Sequence, residues 1–364
     1  MLEEKLVKKT VLITGMAGFI GAFLAKQVLE TTDYRVIGFD NCNNYYDPGI
    51  KENRLKMLYS AAKEDDKQIP ASLMNGFACG RLIFVRGDLA DENAVDALFE
   101  KYHPEIVVNL AAQAGVRYSI DNPRAYIDSN LVGFFNILQA CRNFPVEHLV
   151  YASSSSVYGT NKKVPYSVED KVDNPVSLYA ATKKSNELMA HAYSKLYSIP
   201  CTGLRFFTVY GPMGRPDMAY FKFTNKIVKG EPIQIYNMGD MRRDFTYVDD
   251  IVTGIQDVMH KIPEPTEDGA RYKVYNIGNS TPESLLNFVE TLEKVLLEEN
   301  VIAAPTEHEL LSMQPGDVYQ TFADVSDLEK DFGFKPSTKL EDGLRSFAKW
   351  YKEYYQIDNV KQSG

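Results

Sequence analysis

Cysteine is scarce: Cys42, Cys79, Cys141 and Cys201 are scattered along the chain and no two stand in CxxC spacing. That leaves no basis for a disulfide framework or a zinc site, and a reducing compartment is the simplest reading. A basic excess is also missing. Nucleic-acid binding normally shows as a surplus of Lys and Arg, and the formal net charge here is −9, so an anionic ligand has to be held by local positive groups. Nowhere do about 18 apolar residues run unbroken, so no transmembrane helix is expected. The opening stretch, Met1-Leu-Glu-Glu-Lys-Leu-Val-Lys-Lys-Thr10, is too short and too charged for a secretory signal, and the expected location is cytoplasmic. Repeats and low-complexity stretches are absent as well. What remains is an ordinary globular composition over 364 residues, 45% hydrophobic and 24% charged, in a chain longer than one core usually supports. Two cooperating lobes are expected.

The first half alternates short apolar runs with helical segments. Thr10-Val-Leu-Ile-Thr14 reads as a fully buried parallel strand, and Gly15-Met-Ala-Gly-Phe-Ile-Gly21 follows at once, leading into a helix over Ala22 to Glu30. Glycines at such a turn let a diphosphate approach the backbone, where unpaired amides and the helix dipole favour negative charge. The next strand, Arg35 to Asp40, ends in an acid about 20 residues on, placed to accept hydrogen bonds from an adenosine ribose, which favours NAD over NADP. A strand-end Asp that merely caps a turn is the alternative reading. Strand Leu82 to Arg86 with Gly87-Asp-Leu89, helix Glu92 to Tyr102, strand Ile106 to Leu110 with Ala111-Ala-Gln-Ala-Gly115, and helix Pro123 to Asn143 continue the alternation. The fold class is therefore α/β, a Rossmann-type doubly wound parallel sheet, whose ligands lie beyond the carboxyl ends of the strands. Residues 41–80 form an insertion with a helical stretch near Lys51 to Lys63. It reads as a solvated excursion, with Tyr45 and Tyr46 as candidates to pack beside the cofactor.

Ser177-Leu-Tyr-Ala-Ala-Thr-Lys-Lys-Ser-Asn-Glu187 sets a phenol and an ammonium four residues apart, which on a helix is one face. A fixed cation favours phenolate and makes Tyr179 a base for a sugar or alcohol hydroxyl. By itself the Tyr-x-x-x-Lys pattern is a weak signal, since such pairs also occur on solvated helix surfaces. Upstream, strand His148 to Ala152 ends in Ser153-Ser-Ser-Ser-Val-Tyr-Gly159. Serines at a strand end are commonly turn formers. They also donate to a hydroxyl that is becoming a carbonyl.

With Gly15-x-x-Gly18-x-x-Gly21, Asp40, Asp88, Ser153 to Gly159 and Tyr179-x-x-x-Lys183 together, the chain resembles the extended short-chain dehydrogenase/reductase family, specifically its nucleotide-sugar 4-epimerases. Asn43-Asn-Tyr-Tyr-Asp-Pro48, Gln113-Ala-Gly-Val-Arg-Tyr-Ser119 and Arg205-Phe-Phe-Thr-Val-Tyr-Gly-Pro-Met-Gly-Arg-Pro-Asp-Met-Ala219 make it most similar to the UDP-glucuronate 4-epimerases. The resemblance implies hydride transfer from C4 of the sugar to tightly held NAD, turnover of the 4-keto sugar in the site, and hydride return to its opposite face. In that scheme Tyr179 is the base, Lys183 lowers its pKa and binds the nicotinamide ribose, and Ser154 bridges to the hydroxyl. Cofactor contacts then fall on Gly15, Gly18, Phe19, Ile20, Gly21, Asp40, Asn41, Asp88, Leu89, Leu110, Ala111, Ala112, Gln113 and Asn130, beside Tyr179 and Lys183.

A glucuronate oxidised at C4 is a β-keto acid, so its carboxylate has to be held away from alignment with the carbonyl. Arg215 and Arg117 are candidates for that clamp, because a planar guanidinium takes a carboxylate through two bonds, and Thr208 could add a donor. Related decarboxylases and dehydratases carry an acid next to the catalytic hydroxyl residue, where this chain has Ser155 and Ser156. C4 epimerisation of a neutral UDP-hexose or N-acetylhexosamine, or decarboxylation of UDP-glucuronate, are the alternatives. The resemblance further implies uridine contacts at Gln234 and Tyr236, a diphosphate contact at Arg243 and a ribose contact at Asp317, with Gln314 standing where the family has an arginine. An ion pair with Asp240 or Asp244 is the other reading of Arg243. Domains are expected at 1–207 with 245–279 for NAD and at 208–244 with 280–364, a smaller α/β unit, for the nucleotide sugar. A homodimer built from helices Pro123 to Asn143 and Ser177 to Tyr197, and a place in polysaccharide biosynthesis, follow by analogy. No metal, nucleic acid or membrane partner is expected.

Overall fold

The computed structural model describes residues 9–63, 68–313 and 319–357. The chain divides into two compact units. The first takes residues up to Asn161, Lys171–Arg205 and Val252–Tyr275, and the second takes Lys162–Asp170, Phe206–Ile251 and Asn276 onward. The strands are β1 Thr10–Thr14, β2 Arg35–Asp40, β3 Phe77–Cys79, β4 Leu82–Arg86, β5 Ile106–Asn109, β6 His148–Ser154, β7 Cys201–Phe206, β8 Thr208–Tyr210, β9 Ile233–Ile235, β10 Arg242–Tyr247, β11 Tyr272–Ile277, β12 Pro282–Ser284 and β13 His308–Leu310.

An eight-stranded sheet in the order β11-β7-β6-β5-β1-β2-β4-β3 organises the first unit. From β1 the chain steps outward through β2 to β4, then returns and steps the other way through β5, β6 and β7. The reversal lies between β1 and β5, which pair in parallel with Thr14 opposite Asn109. At such a switch point the connections leave in opposite directions and a crevice opens beyond the strand ends. Val11, Leu12 and Ile13 are fully buried, which a central parallel strand covered on both faces requires. Leu12, Ile37, Phe39, Phe99, Val107, Leu138 and Leu149 share one core cluster. Each such side chain contributes about 1.5–3 kcal/mol by leaving water.

Three features depart from the sequence reading. The short strand β3 pairs antiparallel with β4, Ala78 opposite Ile83, and adds an edge at the end of the insertion; three residues of mixed burial carry too little pattern to announce a strand. The insertion helix begins earlier, at Pro48, because Asp47 accepts a hydrogen bond from the Gly49 amide and Pro48 is preset for a first helical turn. The expected continuous helix Pro123 to Asn143 is instead a short α-turn, a π-segment over Ile127–Val132 and an α-helix over Gly133–Asn143.

The second unit holds a three-stranded sheet, β12-β10-β8, and a separate parallel pair of β9 with β13. Its core is aromatic. Phe245 stacks on Phe288 with centroids 4.1 Å apart, and Tyr220 meets Phe347 edge-on at 4.8 Å. Buried Asp244 pins β10 by accepting from the amides of Asn279, Ser280 and Ala323. No helix among the described residues is long and apolar enough to cross a membrane.

His148, at the start of β6, lies buried between the Met259 carbonyl and the Thr202 hydroxyl. Burial pushes its pKa down from 6.5 to about 4. In that window the unfolded chain binds a proton that the folded chain refuses, so stability is lost as pH falls through it. The loss should total about 3 kcal/mol between pH 7 and pH 4. Urea unfolding of the parent and of His148→Gln at several pH values checks this: the variant should lack that component of the pH slope.

Candidate active site

The turn after β1 is set by close approaches. Gly15 has a φ of +70°, its amide donates to the Phe39 carbonyl at 2.7 Å, and a Cβ there would stand 2.8 Å from the Ala111 nitrogen. A Cβ on Gly21 would meet the Gly15 carbonyl oxygen at 2.2 Å. The helix Phe19–Thr31 starts from Gly18 with no side chain capping it. Its first amides are the kind of donors that a diphosphate takes. Phe19 and Ile20 open that helix, one on its buried face and the other part-exposed.

Asp40 accepts from the Ala17 amide at 3.1 Å through one oxygen and from the Cys42 amide at 2.8 Å through the other. The strand-end acid thus ties the glycine turn to the end of β2. It does more than cap its own turn, and its oxygens keep lone pairs for ribose hydroxyls. Asn41 donates to Asp88 at 2.9 Å, joining the ends of β2 and β4, and Leu89 next to it is buried, its carbonyl accepting from Asn136. At the switch point Thr14 donates to Asn109 at 2.7 Å and accepts from the Ala111 amide at 3.1 Å. This fixes the Leu110–Ala111–Ala112 segment against the glycine turn. Gln113 is then clamped by Asn130, which accepts from the Gln113 amide at 2.8 Å and donates to its carbonyl at 3.0 Å. Within the insertion, Tyr45 packs on Tyr118 at 4.6 Å, while Tyr46 receives a hydrogen bond from the buried Arg54 guanidinium, which also donates to the Ala17 carbonyl.

The catalytic candidates all belong to the first unit. Ser177 accepts from the Ala180 amide and starts the helix Leu178–Tyr197, which ends where Ser198 turns left-handed. Tyr179 and Lys183 share one face of that helix, with the Lys183 Nζ 6.0 Å from the Tyr179 ring centroid. Tyr126 meets the Tyr179 ring edge-on. Lys183 is buried and donates to the Ala152 carbonyl at 2.8 Å, and burial lowers its pKa to about 8. Ser154, at the end of β6, donates to the Ser156 hydroxyl and accepts from its amide. Ser155 and Ser156 form the first residues of the 3-10 turn Ser155–Tyr158.

The family described as the NAD dependent epimerase/dehydratase family matches residues 11–278. The chain belongs to that family. Among relatives, the Staphylococcus aureus protein CapI is 51% identical, over 95% of this chain and 99% of its own length. A probable UDP-glucuronate 4-epimerase of Rhizobium meliloti is 45% identical, over 95% and 97%. The crystal structure of UDP-glucuronic acid 4-epimerase from Bacillus cereus, in complex with UDP-glucuronic acid and NAD, superposes with a TM-score of 0.79 at 30% identity, covering 95% of this chain and 100% of that one. This epimerase/dehydratase is NAD-dependent, and its glycine cradle, open helix start and paired Asp40 fit the cofactor.

In the second unit this epimerase/dehydratase carries the remaining candidates on separate elements. Thr208 opens β8 opposite Phe245. Arg215 forms a two-bond pair with Asp217, Nε to Oδ1 at 2.9 Å and Nη2 to Oδ2 at 2.6 Å. On β9 the side chain of Gln234 donates to Glu309 and accepts from Tyr236. The Arg243 guanidinium donates to the carbonyls of Arg242 and Tyr319, whereas Asp244 is engaged by backbone amides and Asp240 accepts from Tyr319. Arg117, in the first unit, is exposed at the start of the short helix Tyr118–Asp121. Asp317 and Gln314 lie outside the described residues. No cluster of His, Cys, Asp or Glu placed to hold a metal occurs among the described residues.

One group beneath the catalytic residues escaped the sequence reading. Glu187 takes both Nε and Nη2 of buried Arg205, at 2.8 and 2.9 Å, and accepts from Ser153 at 2.7 Å. Burial opposes ionisation of Glu187, but the hydrogen bonds and charge of Arg205 outweigh it and hold the carboxyl below its ordinary pKa. The signal was there: Glu187 stands four residues after Lys183, on the same helix face. A further pair on that helix grips the π-segment, with Thr182 accepting from the Asn130 amide group and Asn186 donating to the Asn130 carbonyl. Glu187→Gln should leave the Arg205 charge stranded and cost about 3–5 kcal/mol in thermal or urea unfolding, while Glu187→Gln combined with Arg205→Met should recover much of that loss.

Proposed function

We propose that the protein is an NAD-dependent UDP-glucuronate 4-epimerase that interconverts UDP-glucuronate and UDP-galacturonate through a transient 4-keto sugar. The observation that carries this is the grouping of the candidate residues on one unit: Tyr179 and Lys183 on one helix face, with Lys183 hydrogen-bonded to the strand that ends in Ser154. The match to UDP-glucuronate 4-epimerases over nearly the whole chain supports the choice of sugar.

When bound, NAD would supply the hydride acceptor and donor at C4, with inversion arising from hydride return to the opposite face of the turned 4-keto sugar. Tyr179 takes the C4 hydroxyl proton as the carbonyl forms and returns it when the hydroxyl is restored. Lys183, partly by its charge and partly by its fixed position, favours the phenolate. The Ser154 hydroxyl donates to the oxygen at C4 and steadies its developing charge. No acid stands at Ser155 or Ser156 to shuttle a proton to an enolate, which weighs against decarboxylation or elimination. Asp40 and the glycine turn hold the dinucleotide, with Asn41, Asp88, Leu89, Leu110 to Gln113 and Asn130 completing that surface.

In the second unit, Arg215 with Thr208 reads the sugar carboxylate, Gln234 and Tyr236 meet the uridine, and Arg243 meets the diphosphate. Arg117 is a further candidate for the carboxylate, and Asp317 for the uridine ribose. The cytoplasm suits this substrate, and a role in supplying a uronate for polysaccharide assembly follows from the product. Exposed Val132, Phe135, Leu188 and Leu196, along the segments 127–143 and 178–197, support a homodimer formed by those helices.

Purified protein given UDP-glucuronate, followed by NMR, should yield UDP-galacturonate without net change of cofactor. A pentose with CO₂ would mark a decarboxylase, and epimerisation confined to a neutral sugar nucleotide would remove the uronate reading. Tyr179→Phe should lower turnover by at least about a hundredfold while NAD remains bound, because it removes only the hydroxyl. Arg215→Ala should lower kcat/KM for UDP-glucuronate by about a hundredfold and leave UDP-glucose handling nearly unchanged; an equal loss with both would show that the arginine does not read the carboxylate.

A further inference from the structure

The segment joining β8 to the helix Ala219–Val228 is shaped with little freedom. Gly211 has a φ of +150°, and a Cβ there would lie 2.8 Å from Val248 Cγ1. A Cβ on Gly214 would sit 1.6 Å from the Tyr220 hydroxyl. The Tyr220 hydroxyl in turn donates to the Gly211 carbonyl at 3.3 Å, and the ring is buried in the aromatic core. The next four residues close a turn, the Met218 amide donating to the Arg215 carbonyl at 3.1 Å. Pro216 occupies the second position of that turn, where its fixed φ is preorganised. Residues 215 and 217 are therefore held by backbone that is itself held by the core.

On that base stands the two-bond pair of Arg215 with Asp217, in which both partners are about three-quarters buried. The pair uses the Nε–Nη2 edge of the guanidinium. An arginine side chain has many rotamers, and ordering one costs conformational entropy. Two parallel charge-assisted bonds along one edge fix the plane of the group before a ligand arrives. The second carboxylate-binding edge of a guanidinium, Nη1–Nη2, is then set in direction by the first.

Asp217 is also suited to keep that hold. It lies immediately before the N-cap, Met218, of the helix Ala219–Val228, whose first turn carries no acidic residue, and a carboxylate near a helix N-terminus is stabilised in its charged form. Burial works against its ionisation, but the charge and hydrogen bonds of Arg215 prevail and keep its pKa below the ordinary value. The carboxylate stays charged across the neutral range, and Arg215 is not released by protonation.

We infer that Asp217 is the positioning residue for uronate selectivity: by holding the Nε–Nη2 edge of Arg215 it aims the Nη1–Nη2 edge at the carboxylate of the sugar. This rests on the reading of Arg215 as the carboxylate contact. A neutral hexose has no group to take the two-bond geometry, so it gains nothing from the alignment. Asp217 does not touch the sugar. It acts by removing the cost of ordering the arginine, an effect that belongs to binding of the acidic substrate and not to the chemistry at C4.

The test is steady-state kinetics of Asp217→Asn and Asp217→Ala beside Arg215→Ala and the double variant Arg215→Ala with Asp217→Ala. UDP-glucuronate is the substrate and UDP is the competitive inhibitor. Asp217→Ala should raise KM for UDP-glucuronate about tenfold, a factor worth about 1.4 kcal/mol, with kcat within about threefold and the inhibition constant of UDP unchanged. Asp217→Asn, which keeps the shape and one acceptor oxygen, should show the same change in smaller measure and covers the case in which the alanine variant does not fold. Adding Asp217→Ala to Arg215→Ala should produce no further loss, as two residues acting through one contact are not additive. An unchanged or lowered KM in the Asp217 variants, a parallel weakening of UDP, or additive losses would each overturn the inference. If Arg215→Ala raises KM and Asp217→Ala does not, only the positioning role falls. If Arg215→Ala itself leaves KM for UDP-glucuronate unchanged, the carboxylate reading of Arg215 falls and the inference goes with it.

Discussion

Two consecutive residues of β6 are tied to two consecutive turns of one helix. Lys183 donates to the carbonyl of Ala152, and Glu187 accepts from the hydroxyl of Ser153. The second tie depends on the Glu187–Arg205 pair, because a carboxylate this deeply buried stays charged only with a matched cation against it. Arg205 sits on the neighbouring strand β7 and also reaches the Tyr158 hydroxyl, so strand end, serine turn and helix are fastened at one point. Ser154 is the next residue along β6, and Tyr179 is one turn before Lys183. The spacing between the Ser154 hydroxyl and the Tyr179 phenol is thereby braced by a buried ion pair of other residues. Enzymes gain from such rigidity, since a misplacement of about 1 Å at the reacting atoms can cost about a hundredfold in rate.

A parallel economy governs the cofactor half of the first unit. Each strand end at the switch point is joined to its neighbour by a side chain: Thr14 to Asn109, Asp40 to the amide of Ala17, Asn41 to Asp88. The Asp40 bond satisfies the Ala17 amide, a polar backbone group that a loop at a buried crevice would otherwise leave bare. Together the three bonds mean that the residues expected to receive the dinucleotide are already ordered by one another. Asn130 belongs to the same system, since its side chain grips Gln113 on one side and Thr182 of the helix Leu178–Tyr197 on the other. Asn186 of the same helix donates to the Asn130 carbonyl as well, so the Gln113 segment and that helix are joined through one residue by side chain and backbone alike.

Much of this was legible in the sequence, and for definite reasons. The run Thr10 to Thr14 is apolar without alternation, which only a strand buried on both faces needs, and the glycines after it are spaced as close backbone contacts demand. Tyr179 and Lys183 share a helix face by arithmetic. The parts that stayed hidden depend on contacts between residues far apart in the chain or on too few residues to make a period. Arg205 stood inside a quoted motif, yet nothing local says that its partner is Glu187, 18 positions earlier. Nothing in the sequence announces that Asp217 pairs with Arg215, because a spacing of two residues brings side chains together only in a turn of particular shape. β3 was too short to announce itself. The segment Ile127–Val132 contains no proline or glycine, only Gly133 directly after it, and the contacts of its Asn130 with Gln113 and Thr182 join residues far apart in the chain.

That segment carries a consequence for how the chain tolerates change. A π-segment holds one residue more than an α-helix needs to cover the same path, and Ile127–Val132 is such a segment. The extra residue is absorbed locally: losing one residue there would let the helix wind regularly over the same path, whereas regular winding at the present residue count would rotate the following face by about 100°, one residue's share of an α-turn. In that second case Phe134, Ile137 and Leu138, now in the core, would swing away from it, while in the first they would stay and only Asn130 and its partners would be disturbed. The segment is therefore a place where residue count can change by one while the core face beyond it keeps its direction, and the residue it cannot give up without loss is Asn130.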